Sequence, residues 1–187
     1  MHSAYVTKER TMINLLRTRR SIRQFDKKPV EQEKIDILIE AMLRSPSSRG
    51  LNPWHFVVVS DRDMIEKLSQ SKVHGSKFIK SAALAIVICA NPEKSDVWVE
   101  DTSIAAIILH LTATDLDLGS CWVQIRLRNH ADGSSSERYV KTLLGLEDTT
   151  VVEAIIAMGY PAEEKPGHDT STLLFDRVSY NRYGQQG

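Results

Sequence analysis

The sequence predicts an α+β fold, and three observations carry that expectation. Residues 82–90, AALAIVICA, form a continuous apolar run of strand length. From Val30 onward, Ile35, Leu38, Ile39, Met42 and Leu43 recur at helical spacing. Helices and strands mix along the chain without the regular alternation of a doubly wound sheet.

Taken in order, Met12, Ile13, Leu15 and Leu16 define a short helix over residues 11–19, which delivers its C-terminal end to a cluster of arginines. Lys27-Lys28-Pro29 makes a turn, the helix from Val30 follows, and Pro46 marks its stop. A polar loop to Pro53 leads into a strand over residues 54–60. Asp61 is a plausible N-cap for a helix carrying Met64, Ile65 and Leu68. The 82–90 run reads as a central buried strand. The longest helix spans residues 97–118, and Ile104, Ala105, Ala106, Ile107, Ile108, Leu109 and Leu111 leave almost no polar face in its middle. A helix apolar all round must be covered all round, and a second copy of the chain is the simplest cover, so a homodimer is expected. Gly119 ends that helix. Residues 121–125 (CWVQI) read as a short strand, residues 128–136 as a polar loop, residues 136–144 as a helix capped by Gly145, and residues 151–158 as the last core strand. Beyond Gly159-Tyr160-Pro161 the chain turns polar and loses period, as a tail does that frays or wraps a partner subunit.

A chain of 187 residues is expected to form a single domain over residues 1–187 and to bury a real core. Lys plus Arg and Asp plus Glu balance at 24 each, which gives no global field for nucleic acid or an anionic membrane. Cys89 and Cys121 lie in apolar surroundings and read as reduced, buried thiols. The N-terminal MHSAYVTKER lacks the apolar segment of a signal peptide, and no apolar run reaches membrane-span length. A soluble, cytoplasmic protein without membrane or nucleic-acid partners is the expectation.

Common catalytic signatures are missing. No G-x-G-x-x-G follows a strand, and neither a Walker A loop nor a G-x-S-x-G elbow occurs. The histidines stand singly, without metal-ligand spacing, so no metal site is expected. His110 reads as a satisfied core histidine, Arg17 as a solvated helix residue and Trp54 as core. What stands out is RTRRSIRQF (17–25), with Arg17, Arg19, Arg20 and Arg23 inside seven residues, together with SPSSRGLNPWHF (45–56). Guanidinium forks fit phosphate bidentately. One reading joins the two stretches: the first holds the phosphate of a cofactor and the second lines its ring.

At this point the chain resembles the nitroreductase family of FMN-dependent oxidoreductases. The resemblance rests on RRSIRQF (19–25), SPSSRGLNPWHFVVV (45–59), GSCWVQ (119–124) and IIAMGYPAEEKP (155–166), in the family's order and approximate spacing. It implies a three-layer α/β/α sandwich around a mixed, mainly antiparallel sheet, with a C-terminal tail wrapping the partner subunit. It also implies FMN as cofactor, with Arg19, Arg20 and Ser21 at the phosphate and ribityl chain and Arg23 nearer the ring, where a cation stabilises the reduced flavin. Pro46, Ser47 and Ser48 would come from the other subunit, and Asn52 matches a position that hydrogen-bonds the cofactor. Trp122, Val123 and Gln124 would sit at the ring edge, with Gly159 close by. A late basic residue would complete the phosphate site, Arg177 as first choice and Lys165 as second. The implied activity takes a hydride from NADH or NADPH and passes it to a nitroaromatic, a quinone or another small electrophile, by a ping-pong mechanism with no catalytic side chain. The alternatives are a flavin-binding protein without turnover, a relative with another flavin reaction (reductive dehalogenation, enone reduction, oxidase), or a nucleic-acid module, which the neutral pI of about 7.0 argues against. Residues 128–136 are the candidate lid.

Overall fold

The structure is a computed structural model that describes residues 11–187, so the N-terminal stretch read above for a targeting signal lies outside the described residues. Its frame is a four-stranded sheet of β1 (Trp54–Val59), β2 (Leu84–Ala90), β3 (Gly119–Gln124) and β4 (Val151–Gly159) in the order β1-β2-β4-β3. Every strand ladder is antiparallel. The mixed character of the sheet reduces to one isolated parallel bridge, Ser21 to Ser120.

Among the described residues five α-helices flank the sheet: α1 (Met12–Thr18), α2 (Gln32–Leu43), α3 (Arg62–Leu68), α4 (Trp98–Asp115) and α5 (Ser136–Leu144). β2 and most of β4 are apolar on both faces because both faces are covered. Alternation along β2 sorts the core into two layers. Ala85, Val87 and Cys89 pack with Ile65 and Leu68 of α3 and Val140 of α5. Leu84, Ile86 and Ile88 pack with Leu38 and Met42 of α2 and Ala106 and Leu109 of α4. Helices therefore cover both faces, giving the α/β/α sandwich.

Local signals behave as their chemistry requires. Asp61 accepts the Met64 N–H at 2.8 Å and caps α3. Gly145 closes α5 in the left-handed conformation at φ 65°. The expectation of a central helix buried on every side is only half met within one chain. Asp101, Ala105, Leu109 and Ala113 of α4 face the core, but Ile104 and Ile107 are 39% and 40% exposed. With the half-buried Ile108 and Leu111 they form a stripe at i, i+3, i+4 and i+7. Met12, Ile13 and Leu16 of α1 and Leu173, Leu174 and Phe175 of the tail are exposed as well. Among the described residues no helix is long and apolar enough to cross a membrane.

Candidate functional site

The arginine segment leaves α1 and runs along the open edge of β3. Ser21 bridges Ser120, and the Ile22 N–H donates to the Ser120 carbonyl at 3.0 Å. Residues 161–166 return beside it. Glu163 accepts from the Arg23 and Gln24 backbone N–H groups, and Lys165 donates to the Ser21 carbonyl at 3.0 Å and to Glu163 at 2.8 Å. The Arg23 amide first, then Lys165, holds the Glu163 carboxyl below its usual range. Arg20 donates to the Pro166 carbonyl. Between these segments and the C-terminal end of α4 lies an open cleft of about 860 Å³. Arg19, Arg20 and Lys165 supply its cationic groups, with Thr18, Thr114, Asp117, Gly119 and Glu164 also at its wall.

Two packing details hold the arginine segment in place. A Cβ on Gly119 would come within 2.8 Å of the Ile22 side chain, so only glycine lets the segment lie this close to β3. Gly119→Ala is expected to push Ile22 outward and cost about 1–3 kcal/mol, read as a lower Tm. Beneath the same bridge, His110 of α4 shares a 2.7 Å hydrogen bond with the Ser120 hydroxyl. Burial, and then the Arg19 charge, pushes the His110 imidazole down to about 4.

That depression has a pH signature. Between about pH 4 and the unfolded value near 6.5, the unfolded chain binds a proton at His110 and the folded one does not. Stability therefore falls as pH drops through that window, by up to about 1.4 kcal/mol per pH unit from this group. His110→Gln, whose amide can also meet Ser120, is expected to flatten the slope between pH 6.5 and 5. Parallel denaturant titrations of the two proteins check the difference.

The second polar stretch lies elsewhere. Ser47 donates to the Asn52 side-chain carbonyl at 2.7 Å and accepts from the Asn52 N–H at 2.9 Å, closing a loop in which Arg49 (φ 54°) and Asn52 (φ 46°) are left-handed. The loop abuts the first turn of α4, where the Ser48 N–H donates to Asp101 at 2.8 Å, and Pro46 and Asn52 are exposed. The arginine cleft sits at the other end of the same helix. At 1.5 Å per residue, the stretch of α4 from Asp101 to Thr114 separates the two by roughly 20 Å. One chain does not bring its own Ser47, Ser48 and Asn52 to its own Arg19 and Arg20.

The remaining candidates divide. Lys165 lines the cleft; Arg177, the first choice from sequence, does not, and pairs with its neighbour Asp176 at 3.5 Å in the exposed tail. Loose spacing in a polar tail carries no register, so the sequence alone does not say which of the two stands beside the arginine segment. Arg23 turns away from the cleft and lies over the Phe78 ring at 5.8 Å. Val123 is buried in the core. The Gln124 amide, expected to meet a ligand, is engaged internally: it accepts from the Trp122 indole at 2.9 Å and donates to Glu153 at 3.3 Å. Glu153 is the extra residue where the β2–β4 register shifts at Ile88/Cys89, and burial pushes its carboxyl up. Gly159 is closely packed, since a Cβ there would come within 3.2 Å of Phe25 and 3.3 Å of the Ala83 backbone nitrogen. The 128–136 loop folds on itself through the Asn129–Ser135 bridge and stacks His130 on Tyr139, away from the cleft. Arg17 bonds Asn14 of its own helix at 3.2 Å, as a solvated residue does. Sequence reasoning missed Glu163 and Asp101 as organisers. Glu163 sits two residues before Lys165, a signal that was there to be used.

This arrangement has known counterparts. The nitroreductase family model matches residues 16–76 and 68–160, which takes in both polar stretches, the whole sheet and α2 to α5. A solved FMN-dependent nitroreductase from Clostridium difficile R20291 is 44% identical, with 91% of this chain and 99% of that one covered and a TM-score of 0.90. An Archaeoglobus fulgidus protein provisionally named an NADH dehydrogenase/NAD(P)H nitroreductase is 34% identical over 82% of this chain and 87% of its own length. An NADH dehydrogenase of Thermus thermophilus is 28% identical over 86% of this chain and 90% of its own. With the family model matching most of the chain and these relatives alike over most of their length, the chain belongs to the nitroreductase family.

Proposed function

We propose that this protein is a homodimeric FMN-dependent oxidoreductase, which takes a hydride from NADH or NADPH and reduces a small nitroaromatic, quinone or related electrophile. The observation that carries the reading is the cleft that gathers Arg19, Arg20 and Lys165 at the edge of β3. Its donor set suits a phosphate monoester: two guanidinium forks and an ammonium, with Glu163 already committed to backbone amides and Lys165, and the carboxylates of Asp117 and Glu164 also at the wall. FMN, on which the C. difficile relative depends, has that group.

The opposite placement of the two polar stretches supports the homodimer. If two copies pack their α4 stripes antiparallel about a two-fold axis, the 47–52 loop of each meets the arginine cleft of the other. The exposed Ile104 and Ile107 would then be covered, and the apolar tail residues Leu173, Leu174 and Phe175 would lie across the partner. In this reading Arg19, Arg20 and Lys165 grip the phosphate and Ser21 lies beside them. Ser47, Ser48 and Asn52 border the ring from the partner. Trp122 closes the edge, its indole held by Gln124. FMN, when bound, supplies two-electron chemistry. The protein's residues hold the ring, exclude bulk water and leave one pocket that donor and acceptor occupy in turn.

An anaerobic spectrum of the purified, FMN-loaded protein tests the activity. The reading expects a flavin absorbance that NADH or NADPH bleaches and a nitroaromatic or quinone restores. A bound flavin that neither nucleotide bleaches would establish the non-catalytic flavoprotein instead.

A further inference from the structure

We infer that Asp101 is a positioning residue that sets the backbone of the cofactor-facing 47–52 loop from the first turn of α4. The inference rests on the proposed function for what that loop meets, but its geometry is independent of it. Asp101 is 2% exposed, and a carboxylate that deeply buried must find donors. Its two oxygens divide between two donors, the Ser48 N–H at 2.8 Å and the Ser95 hydroxyl at 3.0 Å. Hydrogen bonds to a carboxylate are about twice as strong as neutral ones.

The loop needs such an anchor. Two left-handed non-glycine residues, Arg49 and Asn52, are uncommon backbone states that persist only where surroundings impose them. The Ser47–Asn52 clasp closes the loop on itself but does not fix it to the body of the protein. Asp101 does that from a buried position, beside the exposed Arg49–Asp96 ion pair, and among the described residues the Ser48 hydroxyl makes no hydrogen bond. Asp101 also stands one turn before Ile104, the first residue of the apolar stripe. The loop is thus registered to the helix that would form the dimer face, so its hydroxyl reaches the partner's cleft at a height that α4 dictates.

The test compares Asp101→Ala, Asp101→Asn, Ser48→Ala and Ser48→Pro in the full-length dimer. Proline at 48 removes the N–H that Asp101 binds, and Ser47 is already extended (φ −137°, ψ 157°), as a residue before proline must be. Two readouts are taken: the FMN dissociation constant by flavin fluorescence, and the rate of tryptic cleavage after Arg49 in the apo-protein. Asp101→Ala and Ser48→Pro are each expected to weaken FMN binding by on the order of tenfold or more and to speed cleavage. Their combination should be no worse than the worse single change, because both delete the same Ser48–Asp101 bond. Asp101→Asn, which keeps an acceptor oxygen, should recover most of the loss. Ser48→Pro behaving like Ser48→Ala, or additive losses in the double variant, would overturn the inference. If the wild-type protein binds no FMN, the proposed function fails, and the cleavage rates alone still decide the role of Asp101.

Discussion

Replacing Arg19 and Arg20 together by alanine is expected to strip FMN from the protein while leaving the dimer intact. Both guanidinium groups line the cleft beside Lys165. Each charge-assisted contact to a phosphate contributes about 1.5–3 kcal/mol, so the pair should raise the FMN dissociation constant by roughly 10²–10⁴-fold. Neither side chain lies in the sheet core, and the Ser21–Ser120 bridge that holds the segment is made by backbone, so folding should survive. Lys165→Ala should weaken binding in the same direction. Arg177→Ala should not, because Arg177 stands in the exposed tail and pairs with Asp176. Equilibrium dialysis with FMN, beside sedimentation of the same samples, checks both halves of the statement. Undiminished affinity in the double variant would remove the phosphate assignment.

The second large effect is expected from Ile104→Asp combined with Ile107→Asp. In one chain these side chains already face outward, so the substitutions leave the core around Leu109 and Ala106 untouched. In a dimer they would bury carboxylates in an apolar interface without partners, at a cost of several kcal/mol across the two copies. A monomer is expected by sedimentation, with FMN retention lost even though every cleft residue of the chain is present. A monomer that still holds FMN as tightly as the wild type would separate the cofactor site from the interface.

Much of the fold was legible because its signals are local. The 82–90 run announces a strand covered on both faces, and Asp61 and Gly145 announce helix boundaries through their own hydrogen-bonding and backbone preferences. The order β1-β2-β4-β3 was not legible, since which strand pairs with which depends on long-range packing that no short window records. At the site, the arginine segment stood out by charge density against a neutral chain. The second half was less readable. That the Gln124 amide meets Trp122 within its own strand and Glu153, the extra residue at a register shift of the neighbouring ladder, is invisible to period counting. That Asp101 reaches back to Ser48 spans 53 residues of chain, and an acidic residue in the first turn of a helix, here beside Glu100, otherwise reads as an ordinary complement to the helix dipole.

The separation of the two polar stretches by the length of α4 makes the central claim testable in one experiment. One copy of the chain would carry Arg19→Ala with Arg20→Ala, and a differently tagged copy would carry Ser47→Ala with Ser48→Pro. The two are co-produced, and the mixed dimer is purified through both tags. If each site joins the cleft of one copy to the loop of the other, the mixed dimer has one site doubly damaged and one fully intact. It should then hold about half the wild-type FMN and show about half its NAD(P)H oxidation, although both parent homodimers are defective. A mixed dimer no better than its parents would mean that cleft and loop act within a single chain, and the composite site would be wrong.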